Sequence, residues 1–246
     1  MDQADVAVTR GRTRDNFELA PGFVDYVTGL YGGTRLGRQE LDGELVEDVE
    51  GSLWPRGLIE GCRTGPPPAP PASGRGDYVR IVVGVDPPAS AGGDACGIVV
   101  CGKGADGTGF VLEDASVSGL RPEGWAAAVA RAAELWGADR VVAEANQGGA
   151  MVESVLRAAG AGLPVKLVHA SRGKAARAEP VACCFERGTA KFAGAFPDLE
   201  DELSGLTIGG GYEGPGRSPD RADAMVWALT ELMLEKERPQ PRVRFL

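Results

Sequence analysis

From Tyr78 onward the apolar residues of this chain change rhythm in an order that few folds accommodate. Three short apolar runs come first: "YVRIVVGVD", "ACGIVVCGK" and "GFVLEDASV". Only brief turns separate them, and strands joined that tightly must pair antiparallel. The spacing then becomes helical in "PEGWAAAVARAAELWG", where Trp125, Val129, Ala132 and Trp136 share a face. After it, strands and helices alternate. "DRVVAEAN" predicts a strand, "GAMVESVLRAAG" a helix and "LPVKLVHAS" a strand. "KAARAEPVACCFERG" predicts a helix interrupted near Pro180, and "TAKFAG" a short strand. "SPDRADAMVWALTELMLEK" predicts a closing helix, with Ser218 as its N-cap and Pro219 in its first turn. Strands that alternate with helices run parallel. The expected architecture is therefore α/β: a mixed sheet of five to six strands, the first three antiparallel and the later ones parallel, flanked by helices.

The rest of the chain reads as attachments to this domain at 78–235. Residues 1–62 are polar and helix-leaning, with Phe23, Val27 and Leu30 at helical spacing but too few apolar residues for a core of their own. They are expected to form an arm that packs on something else. "RTGPPPAPPASGRGD", residues 63–77, is proline-rich and predicts a semi-rigid linker. Residues 236–246 read as a loose tail. The chain contains no apolar run of membrane-spanning length, and its first residues lack a secretory signal, so a cytoplasmic location is expected. The five cysteines include no CxxC pair, which fits reduced thiols better than a disulfide frame or a zinc site.

Charge directs attention to particular ends of these elements. Asp86 closes the first strand and Glu144 the fourth, while Asp220 and Asp223 open the last helix. In open α/β sheets, ligands bind beyond the carboxyl ends of parallel strands. The first and fourth strands are expected to be parallel neighbours, which brings Asp86 and Glu144 together, and Asp220 and Asp223 lie three apart on one helix face. Taken singly, each acid reads as a turn, cap or first-turn residue. Gathered at one sheet edge, they repel one another and call for a hard cation, Mg²⁺ or Mn²⁺. Two such ions could activate a water and stabilise the leaving oxygen of a phosphodiester.

The net charge of −9 argues mildly against a general nucleic-acid binder, but the stretch 166–191 is locally basic. Within it Arg172, Lys174 and Arg177 read either as a solvated helix start or as a hold on a phosphate backbone beside the acids. No GxxxxGK[ST] phosphate loop occurs, so this chain carries no ATPase machinery of that kind. "GGGYEGPGRSPD" reads as a surface loop, with a mobile flap over the acids as the alternative. Trp227, Leu229 and Met233 are expected in the core, and Asp94 in a hairpin turn.

"GVDPPASAGGDACGIVV", "DRVVAEANQGGAMVESVLR", "VHASRGKAARAEPVACCFERG" and "SPDRADAMVWALTEL" together resemble the C-terminal nuclease domain of the large terminase subunit of tailed bacteriophages and phage-like gene transfer agents. The resemblance runs from about Tyr78 to Leu234. "TRDNFELAPGFVDYVTGLYGGTRLGRQELDGELVED" resembles the segment that joins the ATPase motor to the nuclease in that family. The motor itself has no counterpart here, so the resemblance implies a piece of a larger protein.

It also implies a ribonuclease H-like fold and a two-metal endonuclease that cuts double-stranded DNA concatemers during packaging. The portal and the small terminase subunit are the implied partners. Asp86, Glu144 and Asp223 match the family's acidic triad, with Asp86 expected to bridge two ions while Glu144 and Asp223 each hold one. Many members carry adjacent acids at the start of the last helix. Here Ala224 follows Asp223 and the extra acid is Asp220, one turn earlier, expected as a further ligand, with a supporting residue behind the ligands or a helix cap as the alternatives. A Holliday-junction resolvase-like nuclease and a non-catalytic packaging or docking module stay open as alternatives. An actin-like or sugar-kinase ATPase would need a second, similar half.

Overall fold

The structure, a computed structural model, describes residues 11–31, 41–43, 49–65, 75–88, 95–146, 149–160, 164–171 and 173–235. Its centre is one sheet built from β1 (Tyr78–Asp86), β2 (Gly97–Gly104), β3 (Gly109–Asp114), β4 (Arg140–Glu144), β5 (Val165–Val168) and β6 (Ala190–Phe192). The strand order is β5-β4-β1-β2-β3-β6. β1–β2 and β2–β3 pair antiparallel, whereas β1–β4, β4–β5 and β3–β6 pair parallel. This is the mixed sheet that the sequence predicts, with six strands.

Successive residues of a strand face opposite ways, and β1 feeds two cores accordingly. Ile81, Val83 and Val85 face a cluster with Ile98, Val100 and Leu112. α3 (Pro122–Trp136) covers that face through Trp125, Val129 and Trp136, and α4 (Gly149–Ala159) through Val152 and Leu156. Val82 points the other way, with Val99, Cys101 and Val111, beneath α5 (Lys174–Glu186), α6 (Pro197–Ser204) and α7 (Asp220–Leu229). Both central faces are covered, which is why β1 reads as an apolar run rather than an alternation.

Three features depart from the sequence reading. α5 runs unbroken through Pro180, because Ala178, Val181, Ala182 and Phe185 are buried on either side of it and tertiary packing outweighs the lost hydrogen bond. α6, in "PDLEDELS", has no counterpart in the sequence reading. Its acids hide an i, i+4 pair, Leu199 and Leu203, that is fully buried. And residues 52–64, which the sequence assigns to the arm and linker, pack as part of the sheet domain. Leu53, Trp54, Ile59 and Cys62 lie in the same core as Phe185 and Phe192, around α2 (Arg56–Gly61). Thr64 N donates to Phe192 O at 2.9 Å and Leu53 N to Leu206 O at 2.8 Å.

In the arm, α1 (Pro21–Tyr31) leaves Phe23 and Tyr26 exposed. The expected tail, 236–246, lies outside the described residues. No helix among the described residues is long and apolar enough to cross a membrane.

Candidate active site

Two glycines set the site by letting α7 come down onto the sheet. A Cβ at Gly84 of β1 would lie 1.9 Å from the carbonyl oxygen of Ala224, and one at Gly97 of β2 would lie 1.9 Å from that of Asp220. Gly97 pairs with Asp86 across β1–β2. Only the missing side chain there lets the first turn of α7 rest beside the end of β1. Val85 pairs with Ala143 in the parallel β1–β4 ladder, so Asp86 and Glu144 follow on adjacent strands. The structure thus brings Asp86, Glu144, Asp220 and Asp223 to one edge of the sheet. Asp220 and Asp223 are buried, at 7% and 4% exposure.

Mutual repulsion is visible in the electrostatics. Burial first, and then the charges of Asp223, Glu144 and Asp220, push the Asp86 carboxyl well above its ordinary value, and Lys174 only partly offsets them. Burial also raises Asp223, against the pull of Lys174 and Arg177. Among the described residues no side chain donates a hydrogen bond to the Asp86 carboxylate. An electron-rich pocket of carboxylate oxygens with one acid lacking a donor is the chemistry that Mg²⁺ and Mn²⁺ accept, so the donor set fits a hard divalent ion. As the side chains stand, no three acids among the described residues converge on a single ligating point.

The cations of α5 stand among them. Arg177 bridges Glu144 and Asp223, with Nη1 2.8 Å from Glu144 Oε2 and Nη2 3.0 Å from Asp223 Oδ1. Lys174 Nζ lies 2.6 Å from Asp223 Oδ2 and donates to Ser218 Oγ at 2.7 Å. Burial disfavours the Lys174 ammonium, yet Asp223 and the neighbouring acids raise its pKa overall. The two cations that the sequence offered as a hold on phosphate therefore face the acids themselves. Arg172 and Asp94 lie outside the described residues.

Several residues at the site escaped the sequence reading. Trp227, expected in the core, is half-buried. Its indole Nε1 donates to Glu144 Oε2 at 2.8 Å, and its ring lies 4.6 Å from the Arg177 guanidinium carbon. Asn146 Nδ2 donates to Glu144 Oε1 at 2.6 Å. Ser218 does not cap α7. Glu202 of α6 does so from outside the helix, accepting from Arg221 N at 2.7 Å and Ala222 N at 3.1 Å. Arg221 in turn pairs with Glu202, Asp114 and Asp198, tying α7 to α6 and to the end of β3. Nothing local in "ELSGL" marks Glu202 as a cap for a helix that far along the chain. The asparagine two positions after Glu144 was the one legible signal.

The glycine-rich loop before α7 walls a cleft of about 330 Å³, lined by Ala95, Asp198, Glu202, Gly216 and Ser218, that reaches Asp220.

The family model described as the terminase RNaseH-like domain matches residues 83–232, which contain all four acids and both cations. The chain belongs to that family. Solved members of the same structural class agree on the fold of this RNaseH-like domain. The large terminase nuclease from thermophilic phage G20c with bound magnesium superposes with a TM-score of 0.54 at 18% identity, covering 74% of this chain and 98% of that one. The nuclease domain of the large terminase subunit gp2 of bacterial virus Sf6 gives 0.56 at 16% identity, covering 72% and 98%. The large terminase of a second thermophilic bacteriophage gives 0.54 at 15% identity, covering 90% of this chain but 55% of its own. No curated protein matches the chain.

Proposed function

We propose that this chain is the nuclease part of a large terminase subunit, a divalent-metal-dependent endonuclease that cuts double-stranded DNA concatemers as they are packaged into a phage or phage-like capsid. One observation carries the reading: four carboxylates gather at the carboxyl edge of a terminase RNaseH-like sheet, two at strand ends and two on a helix seated there by two glycines. In support, the G20c nuclease is known with bound cobalt and with bound magnesium.

Asp86 is the central ligand in this reading, with Glu144 and Asp223 on either side and Asp220 one turn away on α7. Divalent ions held by these acids would supply an activated water and charge stabilisation at the leaving oxygen. Asp86, at the end of β1, holds its carboxylate between the two neighbouring acids. Trp227 and Asn146 orient Glu144. Lys174 and Arg177, with Arg172 two positions before Lys174 in the sequence, bring the DNA backbone to the acids through its phosphates. The net reaction adds water across one P–O3′ bond and leaves a 5′ phosphate and a 3′ hydroxyl.

The match to the longer terminase supports a wider assignment. It covers 90% of this chain, against 74% for the G20c nuclease with magnesium, and that longer protein is also known in complex with ATP-γ-S. We infer that the chain ahead of the packed stretch at 52–64, rather than the whole of 1–77, joins the nuclease to an ATPase motor, with the portal and the small subunit as further partners.

Plasmid cleavage with Mg²⁺, Mn²⁺ or EDTA tests the reading. The wild type should nick and linearise plasmid only with a divalent ion. Asp86→Asn should lose that activity by at least about a hundredfold while its melting temperature is maintained or raised, because a repelled charge is removed. Full cleavage by Asp86→Asn, or cleavage in EDTA, would falsify the assignment.

A further inference from the structure

The surroundings of Glu144 hold more than a ligand needs. Its Oε2 accepts from both Arg177 and Trp227, each at 2.8 Å, and its Oε1 from Asn146. A carboxylate oxygen presents two lone pairs, so Oε2 has none left for a cation. Asp223 accepts from Arg177 at Oδ1, and its buried Oδ2, which accepts no hydrogen bond, is ion-paired with Lys174 Nζ at 2.6 Å. One guanidinium therefore occupies an oxygen of each flanking acid at once.

One of these donors has to yield before Glu144 Oε2 can take a metal, and the structure distinguishes them. Trp227 belongs to α7, whose backbone is seated on Gly84 and Gly97, so its indole stays with the sheet. Arg177 reaches the acids on a long side chain. Its seat there is incomplete, because the buried Nε–H has no acceptor among the described residues. Its guanidinium also lies against the face of Trp227, a surface that holds a cation without using a carboxylate.

We propose that Arg177 is a counter-ion latch: it clamps Glu144 and Asp223 together in the metal-free protein and leaves both when the divalent ions bind, turning on the face of Trp227 towards the DNA phosphate. The inference rests on the metal-dependent reading of the site and adds an exchange step to it. The latch holds the two flanking acids together before loading, and its release turns a planar five-donor group from carboxylates to a phosphodiester.

Metal titration followed by calorimetry and by tryptophan fluorescence tests this without reference to cleavage. The chain has four tryptophans, and Trp54, Trp125 and Trp136 are at most 2% exposed in the cores. Emission that changes with metal therefore reports Trp227. In the wild type, Mn²⁺ or Mg²⁺ should alter that emission, and Trp227→Phe should abolish the change. Arg177→Lys keeps the positive charge but cannot fork two acids, so it should bind Mn²⁺ several-fold more tightly than the wild type. A purely electrostatic role for Arg177 predicts equal affinity in that variant. Equal or weaker binding by Arg177→Lys, or wild-type metal binding with Trp227 emission unaltered, would overturn the latch and leave the metal site standing. Wild-type protein that binds no divalent ion would overturn both. The fluorescence arm needs no substitution at Arg177, so it decides the matter even if that variant does not fold.

Discussion

Asp86 ends a strand whose five preceding residues are buried, and nothing in the strand itself compensates its charge. Compensation comes from elsewhere in the chain: from Lys174 at the start of α5 and, in the proposed working state, from bound metal. Glu202 shows the opposite use of a buried acid. It caps α7, yet burial pushes its carboxyl up to about 7 despite the two backbone donors and Arg221. A carboxyl raised in the folded state binds its proton more tightly folded than unfolded. Its contribution to stability is therefore full below its ordinary value and is lost as pH rises through about 7. Melting curves in EDTA from pH 5 to pH 8 should show stability declining across that window, and Glu202→Gln should flatten the decline. A variant profile parallel to the wild type would sink this account of the cap. At this scale the sequence exposed the charged residues at element ends and hid the partners. Asp86, Glu144, Asp220 and Asp223 were legible because strand ends and first turns are positions that can be counted. Trp227 and Glu202 were not, since an aromatic at helical spacing and an acid in an acidic helix have commoner uses.

Among the elements, α7 matters most to the site, and its position is a matter of contact with two strands. The Cβ that alanine would add at Gly97 meets the Asp220 carbonyl at 1.9 Å, too close for any rotamer change to relieve. Helix and strand must separate, which costs roughly 1–3 kcal/mol or more. The separation falls between Asp86 and the two acids of α7, where a displacement of about 1 Å can cost about a hundredfold in rate. Gly97→Ala should accordingly lower both the melting temperature and plasmid cleavage. Gly57→Ala, with open space around the new methyl group, should change neither. Wild-type cleavage by Gly97→Ala would show that α7 is not placed by this contact. The antiparallel opening and the parallel continuation of the sheet were readable from the changing apolar rhythm. The closeness of α7 was not, because "VVGVD" and "ACGIVV" give no sign of which backbone their glycines admit. α6 was missed because two leucines among acids are a weak periodic signal, although both are fully buried.

In the whole molecule, the arm and the RNaseH-like domain meet at a strap that composition assigned to the wrong side. Trp54 is fully buried, edge-on to Phe185 with ring centroids 6.0 Å apart, and Phe185 stacks on Phe192 at 4.7 Å. Arg63 pairs with Glu200 at 2.8 Å, a carboxylate with no exposure of its own, and also donates to the Gly194 carbonyl. The strap looked like linker because its few apolar residues precede a proline-rich stretch, and their partners lie far along the chain. Two costs follow from cutting at Tyr78, where the apolar rhythm begins. Losing a buried tryptophan costs about 3–5 kcal/mol. Leaving Glu200 buried without its guanidinium costs about as much again. Together these approach the whole stability of an ordinary domain, about 5–15 kcal/mol. A fragment beginning at residue 49 should melt close to the full chain, whereas one beginning at Tyr78 should be insoluble or melt at least about 10 °C lower. Two fragments with equal melting temperatures would show that the strap is dispensable. If the strap is required and the arm joins a motor as proposed, movement passed along the arm would reach the sheet domain through Leu53 and Leu206, at the foot of the glycine-rich loop that walls the cleft beside Asp220.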